Sequence, residues 1–299
     1  MSKRRYYAIG CLSNVFECYE FSVYSYLAGI IATQFFAPGN IQANLIKVFF
    51  IFAISYLVKP LGSFFWGYLG DYHGKAVVMR WSIVIMAIPT FFIGLLPNYQ
   101  HIGHLSMVLL LFLRLVQGFA VGGELPGSAC YMFEAAGVKS KRFFCSLVSA
   151  SSMLGMLCGA LVVTILQLLL NDQQMQAWGW RLPFFLGLPL AFIIYKVRRN
   201  MHEQVTQNTL AKSDYLKTLF TKHWQAMLTV ISLNTFVTAS FYLLFMWMPV
   251  YLIYYLHIPQ NTAHLSSSLG LFFLIVFTFF VGRFSTNVSR RLMLITGLM

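Results

Sequence analysis

Residues 105–124 read LSMVLLLFLRLVQGFAVGGE, a run in which Arg114 and Glu124 are the only charged residues. An α-helix needs about 20 mostly apolar residues to cross the hydrocarbon core of a bilayer, so this run reads as part of a membrane span, near 104–134. Runs of the same character flank it on both sides, near 7–36, 45–70, 77–97, 143–170, 180–197, 224–256 and 264–284. The expected fold class is all-α, a multi-pass transmembrane helical bundle.

Composition agrees with this. The 299 residues are 59% hydrophobic and 17% aromatic, only 10% are charged, and the mean hydropathy is +0.70. A soluble domain carries about 25% charged residues, so a single water-soluble core is excluded. The formal charge of +13 would suit a nucleic-acid partner on a soluble chain, but position argues otherwise. Lys59 and Arg114 lie inside spans, and Lys47 and Arg181 lie on one side. All other basic residues sit at the N-terminus or at the loops after spans two, four, six and eight. That bias predicts a cytoplasmic N-terminus in the cytoplasmic (inner) membrane and no nucleic-acid partner. Lys3-Arg4-Arg5 and the apolar run after it imitate a signal peptide. The run is too long, carries Glu17 and Glu20 and lacks a small-x-small cleavage site, so it reads as an uncleaved first span.

The five cysteines (Cys11, Cys18, Cys130, Cys145, Cys158) have no paired metal spacing and read as small packing residues. His101, His104, His257 and His264 fall in outer loops as solvated residues or pH sensors, and no metal spacing joins them. Asn287-Val-Ser289 matches the glycosylation pattern on the cytoplasmic side, where it carries no meaning. No nucleophile elbow, phosphate loop or metal motif is present, so no cofactor and no enzymatic activity are expected.

The longest polar break separates a six-helix bundle, 1–197, from a partial second bundle, 224–299, with 198–223 as a cytoplasmic linker. Gly67-Tyr-Leu-Gly-Asp71-Tyr-His-Gly-Lys75 has a weak echo 215 residues later in Gly282-Arg-Phe-Ser-Thr286-Asn-Val-Ser-Arg290, in register with parallel six-helix repeats. The second unit is expected to hold two spans and the start of a third, leaving out what a full second half would build.

An ionised side chain at the bilayer centre costs about 2.5–3.5 kcal/mol on insertion scales, which makes such residues functional candidates. Glu17, Glu20, Lys59, Arg114 and Glu124 qualify. Counted at 1.5 Å per residue, Glu17 and Glu20 lie roughly 15–20 Å from the cytoplasmic end of span one, and Lys59 and Arg114 reach a similar depth from the other side. Glu17, Glu20 and Tyr24 share one helix face. Two carboxylates this close repel when both are ionised, which favours holding a proton on one of them. Arg114 keeps its charge and would pair with an ionised Glu20; protonation would break the pair and couple proton to helix movement. The alternative is a static ion pair that fixes packing. Lys59, with Ser55 one turn earlier and Pro60 after it, would meet an anionic group on a substrate, or else snorkel into an aqueous cavity. Glycines at 118, 122, 123, 127, 155 and 159 read as close-packing positions.

Phe16-Glu17-Cys-Tyr19-Glu20-Phe21, Lys59-Pro60-Leu-Gly62, Gly67-x-Leu-Gly-Asp71-x-x-Gly74-Lys75, Arg114-Leu-Val-Gln117-Gly118-Phe-x-Val-Gly122-Gly123-Glu124 and Gly179-Trp180-Arg181-Leu-Pro183-Phe184 together resemble the metabolite:proton symporters of the major facilitator superfamily. That family includes carriers of proline and betaine, α-ketoglutarate, citrate and shikimate. The resemblance implies a bundle of major facilitator type that rocks around a central site. It implies that Glu20 and Arg114 couple protons, with Glu17 and Glu124 as further candidates, and that Asp71, Lys75, Arg80, Glu134 and Arg142 form a cytoplasmic gate. Lys59 stands where the family usually has arginine, Glu20 where it has aspartate, Tyr72 where it has a base, and Thr286 where it has aspartate.

Lys59, Ser55, Tyr24 and Gln117 are the substrate-binding candidates in the first unit. By the 215-residue offset, Asn234, Thr238 and Tyr242 would form the opposite wall. The expected function is a proton-coupled symporter of a small organic acid or zwitterion, with protons and the lipid bilayer as partners. The alternative is a truncated, transport-incompetent remnant, or a membrane subunit whose missing spans come from a separate chain. A channel fits less well, because the charges cluster rather than ring a pore.

Overall fold

The computed structural model describes residues 3–122, 124, 141–199 and 221–284, and the side chains of these apart from residues 3–10, 13, 71, 75, 76, 141, 142, 144 and 145. The first span is α1 (Lys3–Tyr26), continued after a break at Leu27 by α2 (Ala28–Phe35). α3 (Ile41–His73) starts at Asn40, whose side chain accepts from the Gln42 and Ala43 amides and so answers two otherwise unpaired donors of its first turn. α3 gives way to α4 (Lys75–Leu95) at Gly74, where φ is 88° and ψ 145°, a conformation almost confined to glycine.

α5 (Leu105–Val121), α6 (Lys141–Leu169) and α7 (Leu182–Arg199) follow. A short helix, Asp172–Ala177, joins the last two, opened by a reciprocal cap between Asn171 and Gln174. After it come α8 (Trp224–Tyr242), a π-helical segment (Leu243–Trp247), α9 (Met248–Tyr254) and α10 (Gln260–Phe284). Among the described residues, six segments are long and apolar enough to cross a membrane: 41–70, 77–95, 146–169, 179–199, 224–254 and 260–284. α1 has the length but carries Glu17 and Glu20, and α5 is apolar but shorter in its described part.

Two sequence expectations change here. α7 runs on to Arg199, and Arg198 is fully buried in it, so Arg198 belongs to a helix end inside the bundle and not to an exposed linker. His264 is not in a loop. It lies in the first turns of α10, buried, with Nδ1 2.9 Å from Gln167 Oε1 and its ring 4.7 Å from that of Tyr26.

The helices associate by close backbone approach. α1 lies on α6, α3 on α5, α4 on both α5 and α7, and α10 on α6. A Cβ added at Gly155 of α6 would come within 2.8 Å of Val15 Cα, and one at Gly159 within 2.8 Å of the Tyr19 carbonyl oxygen. At the other crossing, a Cβ on Gly118 would collide with the backbone of Ser55, one on Gly122 with that of Lys59, and one on Gly62 with that of Phe119. Ser63 Oγ donates to the Gly122 carbonyl and Trp66 Nε1 to the Phe119 carbonyl at 3.0 Å, fastening the same crossing. Because lipid tails are as apolar as leucine, such packing and interhelical hydrogen bonds hold the bundle, not apolar burial. The outer faces accordingly leave Leu57, Leu61, Phe64, Phe112, Phe273 and Phe277 exposed.

Alanine at Gly118 or Gly155 is therefore expected to destabilise the protein by about 1–3 kcal/mol, read as earlier loss of monodisperse protein on heating in detergent. Alanine at Gly67, where nothing lies within 4 Å of the added Cβ, should leave stability unchanged or raise it.

Candidate functional site

Three helices converge on the carboxyl group of Glu20, which is 3% exposed. Thr90 of α4 donates through Oγ1 to Glu20 Oε1. Gln117 of α5 donates through Nε2 to Glu20 Oε2 at 3.4 Å and to Thr90 Oγ1 at 2.7 Å. Thr90 Oγ1 also lies 2.9 Å from the Met86 carbonyl. The hydroxyl has one hydrogen for two acceptors. An ionised Glu20 can take that hydrogen, whereas a protonated Glu20 can donate to Thr90 while Thr90 turns to Met86. The Glu20–Thr90 contact is thus satisfied in both protonation states, while Gln117 Oε1 stays buried without a partner.

Arg114 lies one turn before Gln117 on α5 and is 1% exposed. Its guanidinium carbon sits 3.7 Å above the Tyr24 ring centroid, and the Tyr24 hydroxyl is committed to the Val48 carbonyl at 3.1 Å. Nε, Nη1 and Nη2 have no hydrogen-bond partner. The ion pair expected between Glu20 and Arg114 is thus not formed: Glu20 is satisfied by neutral donors, and the cation rests on an aromatic face. A desolvated cation–π contact is worth about 2 kcal/mol or more, but it leaves all five guanidinium N–H groups unanswered. The group is set up to take a planar, two-oxygen anion.

Lys59 differs too from its expected role. Its Nζ is 3.0 Å from Glu17 Oε1 and lies over the rings of Tyr56 and Phe21, at 4.0 and 4.6 Å from their centroids. An ammonium expected to wait for an anion is already neutralised by the chain itself, and Glu17 is held in an ion pair where a proton-coupling role was expected. Ser55 is buried and turns its hydroxyl to the Ile51 carbonyl at 3.0 Å, closing the α3 backbone instead of facing a ligand. Phe52 links the two cations' aromatic platforms, stacking on Tyr24 at 5.9 Å and meeting Tyr56 at 5.2 Å.

Of the three residues expected on the opposite wall, Tyr242 reaches the cluster, accepting from the Tyr56 hydroxyl at 2.6 Å. Asn234 is exposed and Thr238 half-exposed. Glu124 lies elsewhere. Arg198 grips it with Nη1 to Oε1 at 3.0 Å and Nη2 to Oε2 at 2.9 Å, while Ser82 Oγ donates to the same Oε1 and Arg198 Nη1 also donates to the Met79 carbonyl. Glu124, expected to couple protons, is thus held in a buried, bidentate pair that ties the chain just past α5 to α4 and α7. Of the gate candidates, Arg80 is half-buried in α4, while Glu134 and the side chains of Asp71, Lys75 and Arg142 lie outside the described residues.

Sequence reasoning missed Thr90, Tyr56, Phe21 and Arg198. Thr90, a hydroxyl beside Pro89 in an apolar span that also carries Ser82, offered a faint signal. Arg198 looked like any basic residue at a span end. Among the described residues no group of three or more His, Cys, Asp or Glu could hold a metal ion, and Cys11, Cys18 and Cys158 are free thiols.

Comparison with known proteins matches residues 10–299 to the Major Facilitator Superfamily model. The glycine betaine/proline/ectoine/pipecolic acid transporter OusA of Dickeya dadantii is 34% identical over 272 residues, covering 86% of this chain and 54% of its own length. The alpha-ketoglutarate permease of Escherichia coli is 33% identical over 294 residues, covering 97% of this chain and 68% of its own. The proton:xylose symporter XylE, solved with 6-bromo-6-deoxy-D-glucose, shares the fold with a TM-score of 0.74 at 16% identity, over 96% of this chain and 70% of that one. The chain thus spans about half the length of OusA.

Removing one partner of a buried ion pair strands the other, at a cost of about 3–5 kcal/mol. Arg198→Met is expected to destabilise the chain by that order in a denaturation series in detergent. Adding Glu124→Gln should recover most of the loss, because Ser82 can still bond the amide.

Proposed function

The chain belongs to the major facilitator superfamily, and on that premise we propose that it serves in proton-coupled uptake of a small carboxylate-bearing metabolite, an organic acid or a zwitterion. The observation that carries this reading is the unpaired, fully buried guanidinium of Arg114, seated on Tyr24 one turn from Gln117, which bonds Glu20. In this reading the substrate carboxylate is the missing partner of Arg114, and Glu20 carries the proton. Thr90 and Gln117 are the positioning residues that let Glu20 exist in either state. When Glu20 is protonated, Arg114 is the one uncompensated charge in the layer among the described residues, so loading a proton favours loading an anion next. Releasing the proton restores a carboxylate that competes for Arg114 and expels the substrate. The coupling therefore runs through electrostatics in a low-dielectric layer, where opposite charges interact far more strongly than in water.

Several further expectations belong to this proposal. The N-terminus faces the cytoplasm, as the distribution of basic residues implies. By family resemblance, Asp71, Lys75, Arg80, Glu134 and Arg142 form the gate at that side. Asn234 and Thr238, with Tyr242, form the far wall of the site.

The test is uptake of labelled proline, glycine betaine and organic acids into vesicles under an imposed proton gradient. Glu20→Gln is expected to reduce gradient-driven accumulation at least about tenfold while leaving exchange of internal for external substrate in place, since the amide keeps the hydrogen bonds to Thr90 and Gln117 but carries no proton cargo. Accumulation by Glu20→Gln equal to that of the unsubstituted chain would remove Glu20 from the mechanism. Arg114→Lys should weaken substrate binding, because an ammonium lacks the fork that grips two oxygens.

A further inference from the structure

Two charge pairs could have presented cations to a substrate in this layer, and they are treated differently. Arg114 is unpaired. Lys59 is not: Glu17 Oε1 holds it at 3.0 Å, and the rings of Tyr56 and Phe21 flank the ammonium at 4.0 and 4.6 Å. Glu17 is 6% exposed, and its other oxygen, Oε2, is buried with no hydrogen-bond partner. Among the described residues the Lys59 ammonium is the carboxylate's one hydrogen-bond partner, and Glu17 is the one anion beside that ammonium. Tyr56 is pinned in turn by its hydroxyl bond to Tyr242, so the aromatic seat under Lys59 is fixed from α8. The charges of Glu17 and Lys59 cancel, and those of Glu20 and Arg114 cancel until Glu20 gains a proton. The loaded layer then offers one positive charge.

We propose that Glu17 is a selectivity residue: by masking Lys59 it leaves Arg114 as the single anion-binding group, so the site takes substrates with one carboxylate and rejects those with two. This rests on the reading of Arg114 as the carboxylate site. It would place this chain with the relative named for betaine, proline, ectoine and pipecolic acid and apart from the one named for α-ketoglutarate. A second carboxylate would have to displace Glu17 from Lys59 or stay unpaired in a water-poor layer, and either is penalised. Removing the mask should turn Lys59 into the second anion-binding group.

The experiment reads the shift in thermal unfolding of the purified chain in lipid nanodiscs, with glycine betaine and proline as one-carboxylate probes and α-ketoglutarate as the two-carboxylate probe. The unsubstituted chain is expected to be stabilised by glycine betaine or proline and not by α-ketoglutarate at equal concentration. Glu17→Gln should improve the affinity for α-ketoglutarate relative to glycine betaine by about tenfold or more, the size of one charged hydrogen bond gained. Adding Lys59→Met to Glu17→Gln should abolish that gain and return the preference to one carboxylate. This double substitution removes both charges of the Glu17–Lys59 pair and strands neither, which guards against the single variant failing to fold. Tighter binding of α-ketoglutarate than of glycine betaine to the unsubstituted chain would overturn the masking role while leaving Arg114 as a carboxylate site. So would a double variant that loses preference for one carboxylate. Absence of binding by any of the three probes would overturn the functional reading itself, and the masking role with it.

Discussion

A guanidinium in hydrocarbon must be answered by something, and the organisation of this chain turns on the fact that no hydrogen bond answers Arg114. Ionised groups within a span cost several kcal/mol unless compensated. Among the described residues two other cations within the bundle meet that demand internally, the part-buried Lys59 through Glu17 and the buried Arg198 through Glu124. Only Arg114 is left with an aromatic face and no anion. The closed pairs stabilise an arrangement of helices, while the open group leaves a place to be filled. What separates the proposed site from the closed ion pairs is therefore not the presence of buried charge but whether the chain itself completes it.

Helix packing sets the stage for that difference. The α3–α5 crossing is held by backbone against backbone, with Gly118 on Ser55 and Gly122 on Lys59. Those contacts lie one turn from Arg114 and at Lys59 itself, so the same glycines that let the helices touch also fix the relative depth of the two cations. The α1–α6 crossing at Gly155 and Gly159 does the same for Glu17 and Glu20 by holding α1 through Val15 and Tyr19. A slip of one residue at either crossing would rotate a helix by about 100° and carry its charge out of the layer. Close packing and charge placement are thus one requirement expressed twice.

α8 and the π-helical segment after it supply a third element. Tyr242, the last residue of α8, bonds the tyrosine beneath Lys59, and the carbonyl of Met246 in the π segment accepts the Ser25 hydroxyl of α1 at 2.9 Å. Such insertions into a helix often mark functional places. Here α8 brings a tyrosine to α3 and the π segment a carbonyl to α1, so a shift of either would be felt at the aromatic seat of Lys59 or at Ser25.

Much of this was legible in the residues alone. Crossing a bilayer demands about 20 apolar residues, a requirement local in sequence, so the helical segments follow from composition and position. Charge inside such segments is rare enough that Glu17, Glu20, Lys59, Arg114 and Glu124 stood out without any structure, and small residues at four-residue spacing announced the close crossings. Partner choice was not legible. Glu17 and Glu20 share one face of α1, and which of them meets Lys59, or whether either meets Arg114, depends on the rotation of α3 and α5 about their axes, set by distant glycine contacts. Thr90 and Tyr56 entered for the same reason: a hydroxyl's value lies in what another helix brings beside it. Arg198 is the sharpest case. A basic residue at a span end looks the same in sequence whether its side chain reaches water or turns inward to Glu124, and only the packing of α7 against α4 decided that it turns inward.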